Sequence, residues 1–236
     1  VTGCEVGTVC GAIVPPVVVA VAVGVGLLAY WWFEVEEALV SLDIGVVIPV
    51  HPARIRAGLL DRAVASVWAQ TLPAAELHIP VDRRREGAAA TRNRGLAAVR
   101  SEWVAFLDSD DEFLPHHLER LAACAVETGA DMVYPWFETP GWSDPLGWFG
   151  RDFDPVAIRS ANYVPVTVLV RTELLRSVGG FVNLHDGSER ATCEDWGAWL
   201  ALIDAGARIV HLPERTWRWH LHGGNTSGRT TQGDAA

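Results

Sequence analysis

The sequence contains no lysine. All 19 basic side chains are arginine, set against 29 acidic ones, for a formal charge of −10. Lysine chemistry, Schiff bases and the P-loop lysine included, is therefore closed to this chain. The acid excess excludes bulk nucleic-acid binding, which needs a basic face. The four cysteines (Cys4, Cys10, Cys124, Cys193) form no CxxC pair and no Cys/His run of zinc spacing. Neither a disulfide scaffold nor a structural zinc site is expected. There is no internal repeat. What is there is a chain of 236 residues, half of them hydrophobic and a fifth charged. That is enough to bury a core in one large α/β domain or two small ones.

Residues 1–43 differ in kind from the rest. No charged side chain occurs between Val6 and Phe33, a run long enough to span a bilayer as a helix. Trp31 and Trp32 suit a membrane interface. The flanks do not suit insertion: Glu5 precedes the run, Glu34, Glu36 and Glu37 follow it, and the first arginine is Arg54. A signal peptide's basic n-region and small-residue cleavage site are missing. The chain begins with valine, its single methionine is Met132, and Val40 would serve as a start as well as Val1. Residues 1–39 are therefore read first as translated upstream sequence, next as a membrane anchor and last as a cleaved leader. The expected location is cytoplasmic, with membrane association only through that segment.

From Asp43 the chain alternates strands and helices. Ile44–Val50 is a nearly continuous apolar run of the kind a buried parallel strand needs. Leu59–Thr71 has helical spacing, with Leu60, Val64, Val67 and Trp68 on one face. Strands are expected at Leu77–Val81, Trp103–Leu107 and Asp131–Tyr134, and helices at Gly87–Val99 and Leu114–Glu127. Such strand–helix units predict a doubly wound, mostly parallel sheet with helices on both faces. Ligands bind such sheets at the carboxyl ends of the strands, where His51, Asp82 and Asp108–Asp111 fall. Trp136–Asp154 carries three tryptophans without a clean period and reads as a long loop. Further on, a strand at Val164–Arg171, helices at Glu173–Val178 and Glu194–Ala205, and a last strand at Arg208–Leu212 are expected. The segment from Thr216 reads as a mobile tail. Trp68, Trp103 and Trp199 are assigned to the core, and Trp142, Trp148, Trp217 and Trp219 to exposed, ligand-stacking positions.

Three clusters carry chemistry. Asp108, Asp110 and Asp111 follow the apolar strand, and carboxylates so crowded repel one another unless a cation or a helix N-terminus neutralises them. Hard oxygen ligands at a strand end suit Mg²⁺ or Mn²⁺ holding a diphosphate; a mere helix cap would need only one aspartate. Glu194 and Asp195 open a helix, where an acid pair complements the dipole or supplies a carboxylate base. His220 and His222 sit in a glycine-rich segment that could fold over a bound donor. Asn225-Thr226-Ser227 matches the N-glycosylation sequon. Arg83–Arg85 reads as a solvated face, Arg92 as a phosphate or base contact.

In order along the chain, VVIPVHPAR, RAVASVWAQT, ATRNRGL, WVAFLDSDDEFLP, VGGF, CEDWGAWLAL and RWHLHGGNTSG resemble the motifs of family 2 glycosyltransferases over about residues 44–228. Residues 229–236 remain as a flexible tail. The resemblance implies a GT-A fold and an inverting, metal-dependent transfer of a sugar from a nucleoside-diphosphate donor to an acceptor. It implies that Pro49, Val50, His51 and Arg54 line the nucleotide pocket and that Asp82 meets the base. Arg92, Asn93, Asp108 and Ser109 join them in donor binding. Asp108 and Asp110 match the DxD motif and, with His220, would hold Mn²⁺ or Mg²⁺; Asp195 matches the catalytic base. The acidic-glycine turn usual after the second strand is replaced by Asp82-Arg83-Arg84-Arg85-Glu86, and no QxxRW motif is present. A single-addition enzyme is expected rather than a processive synthase. The acceptor (glycan, protein or lipid) is not legible, although Trp136–Phe153 is expected to shape its site. Two other readings stand beside this one: a nucleotidyltransferase, and a non-catalytic module binding sugar or nucleotide.

Overall fold

The computed structural model describes residues 42–141, 150–182 and 193–221. Their scaffold is one seven-stranded sheet in the order β2-β1-β3-β6-β5-β7-β4. The strands are β1 (Ile44–Val47), β2 (Glu76–His78), β3 (Trp103–Phe106), β4 (Glu112–Phe113), β5 (Met132–Glu138), β6 (Leu169–Arg171) and β7 (Ile209–Arg218). The helices are α1 (Pro52–Arg56), α2 (Leu59–Trp68), α3 (Gly87–Ala98), α4 (His117–Thr128), α5 (Thr172–Ser177) and α6 (Glu194–Asp204).

Side-chain alternation along the strands sorts the core into two layers. Ile44, Val46, Trp103, Ala105 and Leu107 pack with Ala63, Val67, Leu118 and Leu121, from α2 and α4. Val47, Val104 and Phe106 pack with Leu96, Leu175, Trp199 and Leu202, from α3, α5 and α6. Helices thus cover both faces, as the alternating pattern predicted.

The sheet is mixed rather than mostly parallel, which corrects the expectation. β1 runs parallel to β2 and β3, and β7 parallel to β5. β6 is antiparallel to both β3 and β5, and β4 to β7. The cause lies in the connections. A parallel neighbour needs a crossover that returns the chain to the other end of the sheet, and the described part of the β5–β6 connection holds only a 3-10 turn at Ala157–Arg159. β6 is also shorter than expected, since Pro165 has no amide to give a ladder. With β6 reversed between them, β3 and β5 point the same way, so the carboxyl ends of β1, β3, β5 and β7 share one edge.

Three tail and tryptophan assignments change. Thr216 is fully buried and Trp217 is 4% exposed; both belong to β7, not to a mobile tail. Trp219 packs partly buried against the first core layer. Trp68 is 65% exposed, because α2 turns Ala63 and Val67 inward and leaves residue 68 roughly a quarter turn aside. Trp142 and Trp148 lie outside the described residues, as do His222, the sequon and the tail. So does the N-terminal apolar run. Among the described residues no helix is long and apolar enough to cross a membrane, which corrects the expectation of membrane association as far as those residues go.

Candidate functional site

At the shared strand edge the chain gathers its acidic groups around a few arginines. β1 continues to Val50, bridged to Val81, and its side chain is spent in the core. Pro49 is half-buried beside it. His51 then caps α1: its Nδ1 accepts from the Ala53 amide at 3.2 Å, with Pro52 in the first turn. The short helix aims Arg54 across the edge, where its guanidinium lies 2.9 Å from the Asp110 carboxylate. Arg62, on α2, donates to the Asp110 carbonyl at 2.5 Å.

Asp82 ends the second strand segment as a loop brace. Its two oxygens accept from the amides of Glu86 and Gly87, each at 2.9 Å. Burial works the other way, but these bonds hold its carboxyl below the usual range. Arg85 in this tight loop has φ of 57°, a left-handed conformation uncommon for any residue but glycine.

Past the brace, α3 brings a buried arginine into the middle of the site. Arg92 lies 2.6 Å from Asp108, pairs as well with Glu194 at the start of α6, and sits over the Phe181 ring. Burial would favour losing its proton, but Asp108, Glu194 and Asp195 hold it firmly charged. Asn93, next in the helix, does not face the same way. Its amide donates to the Phe181 carbonyl at 2.8 Å and accepts from the Phe181 amide at 2.9 Å. That clamp explains Gly180: its φ is +69°, and a Cβ there would stand 2.4 Å from the Asn93 Oδ1.

After β3 the chain turns tightly, the Asp111 amide donating to the Asp108 carbonyl. Ser109, Asp110 and Asp111 are all buried. Burial first, then Asp108 and Asp110, push the Asp111 carboxyl well above its ordinary range. Asp111 accepts from the His220 amide at 2.9 Å, which ties the end of β7 to the acidic turn. The His220 ring faces Glu112, Nε2 to Oε1 at 3.2 Å, and burial with nearby Arg62 lowers its proton affinity. Arg218 closes the ring of charge, 3.1 Å from Glu112 and 2.8 Å from Glu138.

Asp195 stands beside this assembly in the first turn of α6. The Trp196 amide donates to it at 2.7 Å, and the Trp196 indole anchors the helix start on the Ile158 carbonyl. Burial, and after it Glu194, raise the Asp195 carboxyl to about 6 against the pull of Arg92. A carboxyl so tuned is a candidate general base near neutral pH.

Among the described residues no three acidic, imidazole or thiol groups converge as a metal cage, and the His220 ring is turned to Glu112 rather than joined with Asp108 and Asp110. A magnesium-type ion is commonly held by one or two carboxylates plus substrate phosphates, and the charge crowding that lifts Asp111 is what a divalent cation would relieve. Asp108 and Asp110 have the oxygen donors such an ion takes, and in this structure each is paired with an arginine, Arg92 and Arg54.

Half of the twelve site residues expected from the sequence meet at this edge: Arg54, Arg92, Asp108, Asp110, Asp195 and His220. Arg62, Glu112 and Glu138 escaped notice. Only Glu112 left a trace, as a fourth acid closing Asp108–Asp111.

Residues 77–167 match the family model Glycosyl transferase family 2. A pre-mycofactocin glycosyltransferase of Mycobacterium tuberculosis is 31% identical over 150 residues, 58% of this chain and 30% of that protein. The succinoglycan biosynthesis protein ExoO of Rhizobium meliloti is 43% identical over 55 residues, 23% of this chain and 16% of that one. The chain thus spans less than a third of the length of these relatives. Among solved structures, S. aureus TarS 1–349 in complex with UDP-GlcNAc superposes with a TM-score of 0.60 at 18% identity, covering 78% of this chain and 60% of that one.

Proposed function

From the premise that the chain belongs to glycosyl transferase family 2, we propose that it moves a sugar from a nucleoside-diphosphate donor to an acceptor hydroxyl, with inversion and by single addition, on a GT-A fold. The supporting observation is the Arg92 bridge, which fixes Asp108, at the end of β3, against the first turn of α6, where Asp195 waits. A donor site and a base held in register by one buried cation suit an in-line displacement, in which attack and departure occur on opposite faces of one carbon. TarS, solved with UDP-GlcNAc, makes that compound the first donor to try.

Asp108 and Asp110 would hold Mn²⁺ or Mg²⁺, which when bound neutralises charge on the departing diphosphate. The chain's own residues do the rest. Arg54, on Asp110, and Arg62, on its carbonyl, fix the acidic turn. Glu112 orients the His220 ring beside it. Asp195 takes the acceptor proton as the hydroxyl attacks, and its raised proton affinity brings it closer to that task than an ordinary aspartate.

The test is product analysis with UDP-GlcNAc and Mn²⁺, water serving as acceptor. Release of UDP supports transfer; release of GlcNAc 1-phosphate from UDP-GlcNAc, or of pyrophosphate from UTP and GlcNAc 1-phosphate, would point to a nucleotidyltransferase instead. Asp195→Asn should stop UDP release and leave donor binding in place. Equal loss of both would make Asp195 a structural cap.

A further inference from the structure

The acidic turn is held by more than its ion pairs. Arg62 and Ser66 lie one turn apart on α2, and Gln70 follows four residues later, just past the helix end. Residues four apart share a face of a helix. All three find their partners in one stretch of backbone, from Asp110 to Leu118. The Arg62 guanidinium donates to the Asp110 carbonyl. The Ser66 hydroxyl donates to the Ala63 carbonyl of its own helix at 2.7 Å and accepts from the Phe113 amide at 3.0 Å. The buried Gln70 carboxamide donates to the Ser66 and Leu114 carbonyls at 3.0 and 2.8 Å and accepts from the Leu118 amide at 2.9 Å. Leu118 stands in the first turn of α4, where amides lack intrahelical partners and His116 gives no side-chain cap. Gln70 supplies that missing acceptor from 48 residues away.

The residue types suit this task. Serine is a poorer helix former than alanine, and a hydroxyl bonded back to its own helix gains the helix nothing; what Ser66 adds is the acceptor that Phe113 uses. The stretch it serves has little structure of its own. β4 is two residues long and pairs with Arg218 and Trp217 of β7, and the Leu114 amide donates to the Thr216 carbonyl at 2.8 Å. β7 and the polar side chains from α2 thus hold this backbone between them. Glu112, in β4, faces the His220 ring, so whatever places β4 also places His220 beside the acidic turn.

We propose that Ser66 and Gln70 are positioning residues of the donor site. With Arg62 they fix the backbone from Asp110 to Leu118, and through it the Asp110 carboxylate and the His220 ring, without touching the donor themselves. The proposal rests on the transferase reading for what the site binds, and adds two residues that set its shape.

The test compares Ser66→Ala, Gln70→Met and Ser66→Thr with Tyr163→Phe. The Tyr163 hydroxyl likewise joins two backbone groups, the Asp154 amide and carbonyl, but in the other core layer. Two readouts are taken on the full chain, at a temperature where each variant is folded by circular dichroism. One is the His220 ring signal in ¹H–¹³C NMR without ligand, assigned with His220→Gln; the other is UDP-GlcNAc affinity with Mn²⁺. Ser66→Ala and Gln70→Met should move the His220 signal and weaken UDP-GlcNAc by about tenfold or more, the scale of one buried hydrogen bond lost. Ser66→Thr, which keeps the hydroxyl, and Tyr163→Phe should match wild type in both. If Gln70→Met does not fold, Ser66→Ala, which gives up one contact to Phe113, carries the test. The proposal is overturned if Ser66→Ala leaves either readout as in wild type, or if Tyr163→Phe changes them as much. Should wild-type protein bind no UDP-GlcNAc, the transferase reading falls, and the ligand-free His220 signal still decides whether Ser66 and Gln70 position the turn.

Discussion

The Arg92 guanidinium lies 2.6 Å from the Asp108 carboxylate and is almost wholly buried. Because the same group also pairs with Glu194, it joins the end of β3 to the start of α6 through a single side chain. Removing one partner from such a network leaves uncompensated buried charge, a cost of about 3–5 kcal/mol. Arg92→Met should lower stability by that order in urea denaturation. Arg92→Lys keeps a charge but not the fork that reaches two carboxylates, so it should retain most of the stability and lose turnover. If Arg92→Met is as stable as wild type, the bridge is not holding the site together.

Asn93 should behave differently from its neighbour. Both ends of its amide are taken by the Phe181 backbone, so Asn93→Ala is expected to cost about 1–3 kcal/mol through unpaired buried groups. UDP-GlcNAc affinity should stay within a few-fold. Gly180→Ala should be similarly destabilising, since its Cβ would meet the Asn93 Oδ1 at a left-handed φ. Calorimetric binding with thermal denaturation of the same proteins checks both; a large loss of affinity with unchanged stability would put Asn93 in the donor pocket instead.

Asp195 sets the expected pH profile. Its carboxyl is raised to about 6, and only the deprotonated form accepts the acceptor's proton. Turnover should therefore rise through about pH 6, not pH 4, and level off above it. A profile whose acid limb falls near pH 4 would show that another carboxylate limits the reaction.

His117 sets the expected acid stability. Its ring is fully buried, stacked on Phe113 at 3.8 Å and bonded to Thr216 at 2.8 Å. Burial lowers its pKa from 6.5 to about 3. Between those values the unfolded chain binds a proton that the native chain refuses, so stability falls as pH drops below 6.5, by up to about 1.4 kcal/mol per unit. Asp195 opposes this between its ordinary 3.8 and about 6, where the native state holds the extra proton. Glu76, lowered to about 2 despite its burial by His78 and the Arg100 and Ser101 groups, adds loss below pH 4.5. Asp111, whose carboxyl burial also raises, opposes the loss too, so the expected signal is the difference between two proteins: the stability of wild type relative to His117→Gln should decline from pH 6.5 downward. An unchanged slope in that variant would remove His117 as the cause.

Periodicity and motif order made helices α2 to α6, β1, β3 and the acidic turn legible, because each depends on local spacing; the short α1 over Pro52–Arg56 carried no such period. The reversed β6 was not, since strand direction is decided by where a long connection returns the chain. β7 ran past its expected end because Trp217 pairs with Phe113 and Phe137 across the sheet, contacts that no local pattern announces. In the site, Asp108, Asp110 and Asp195 stood out by residue type and place. The double use of Arg92 and the pairing of His220 with Glu112 did not, because each joins segments more than a hundred residues apart.

The most direct test of the account is calorimetric titration of UDP-GlcNAc into wild-type protein and Asp110→Asn, with and without Mn²⁺. The account predicts wild-type binding that depends on Mn²⁺ and is lost in Asp110→Asn, with the variant still folded by circular dichroism. Binding equally strong without the ion, or untouched by Asp110→Asn, would contradict it.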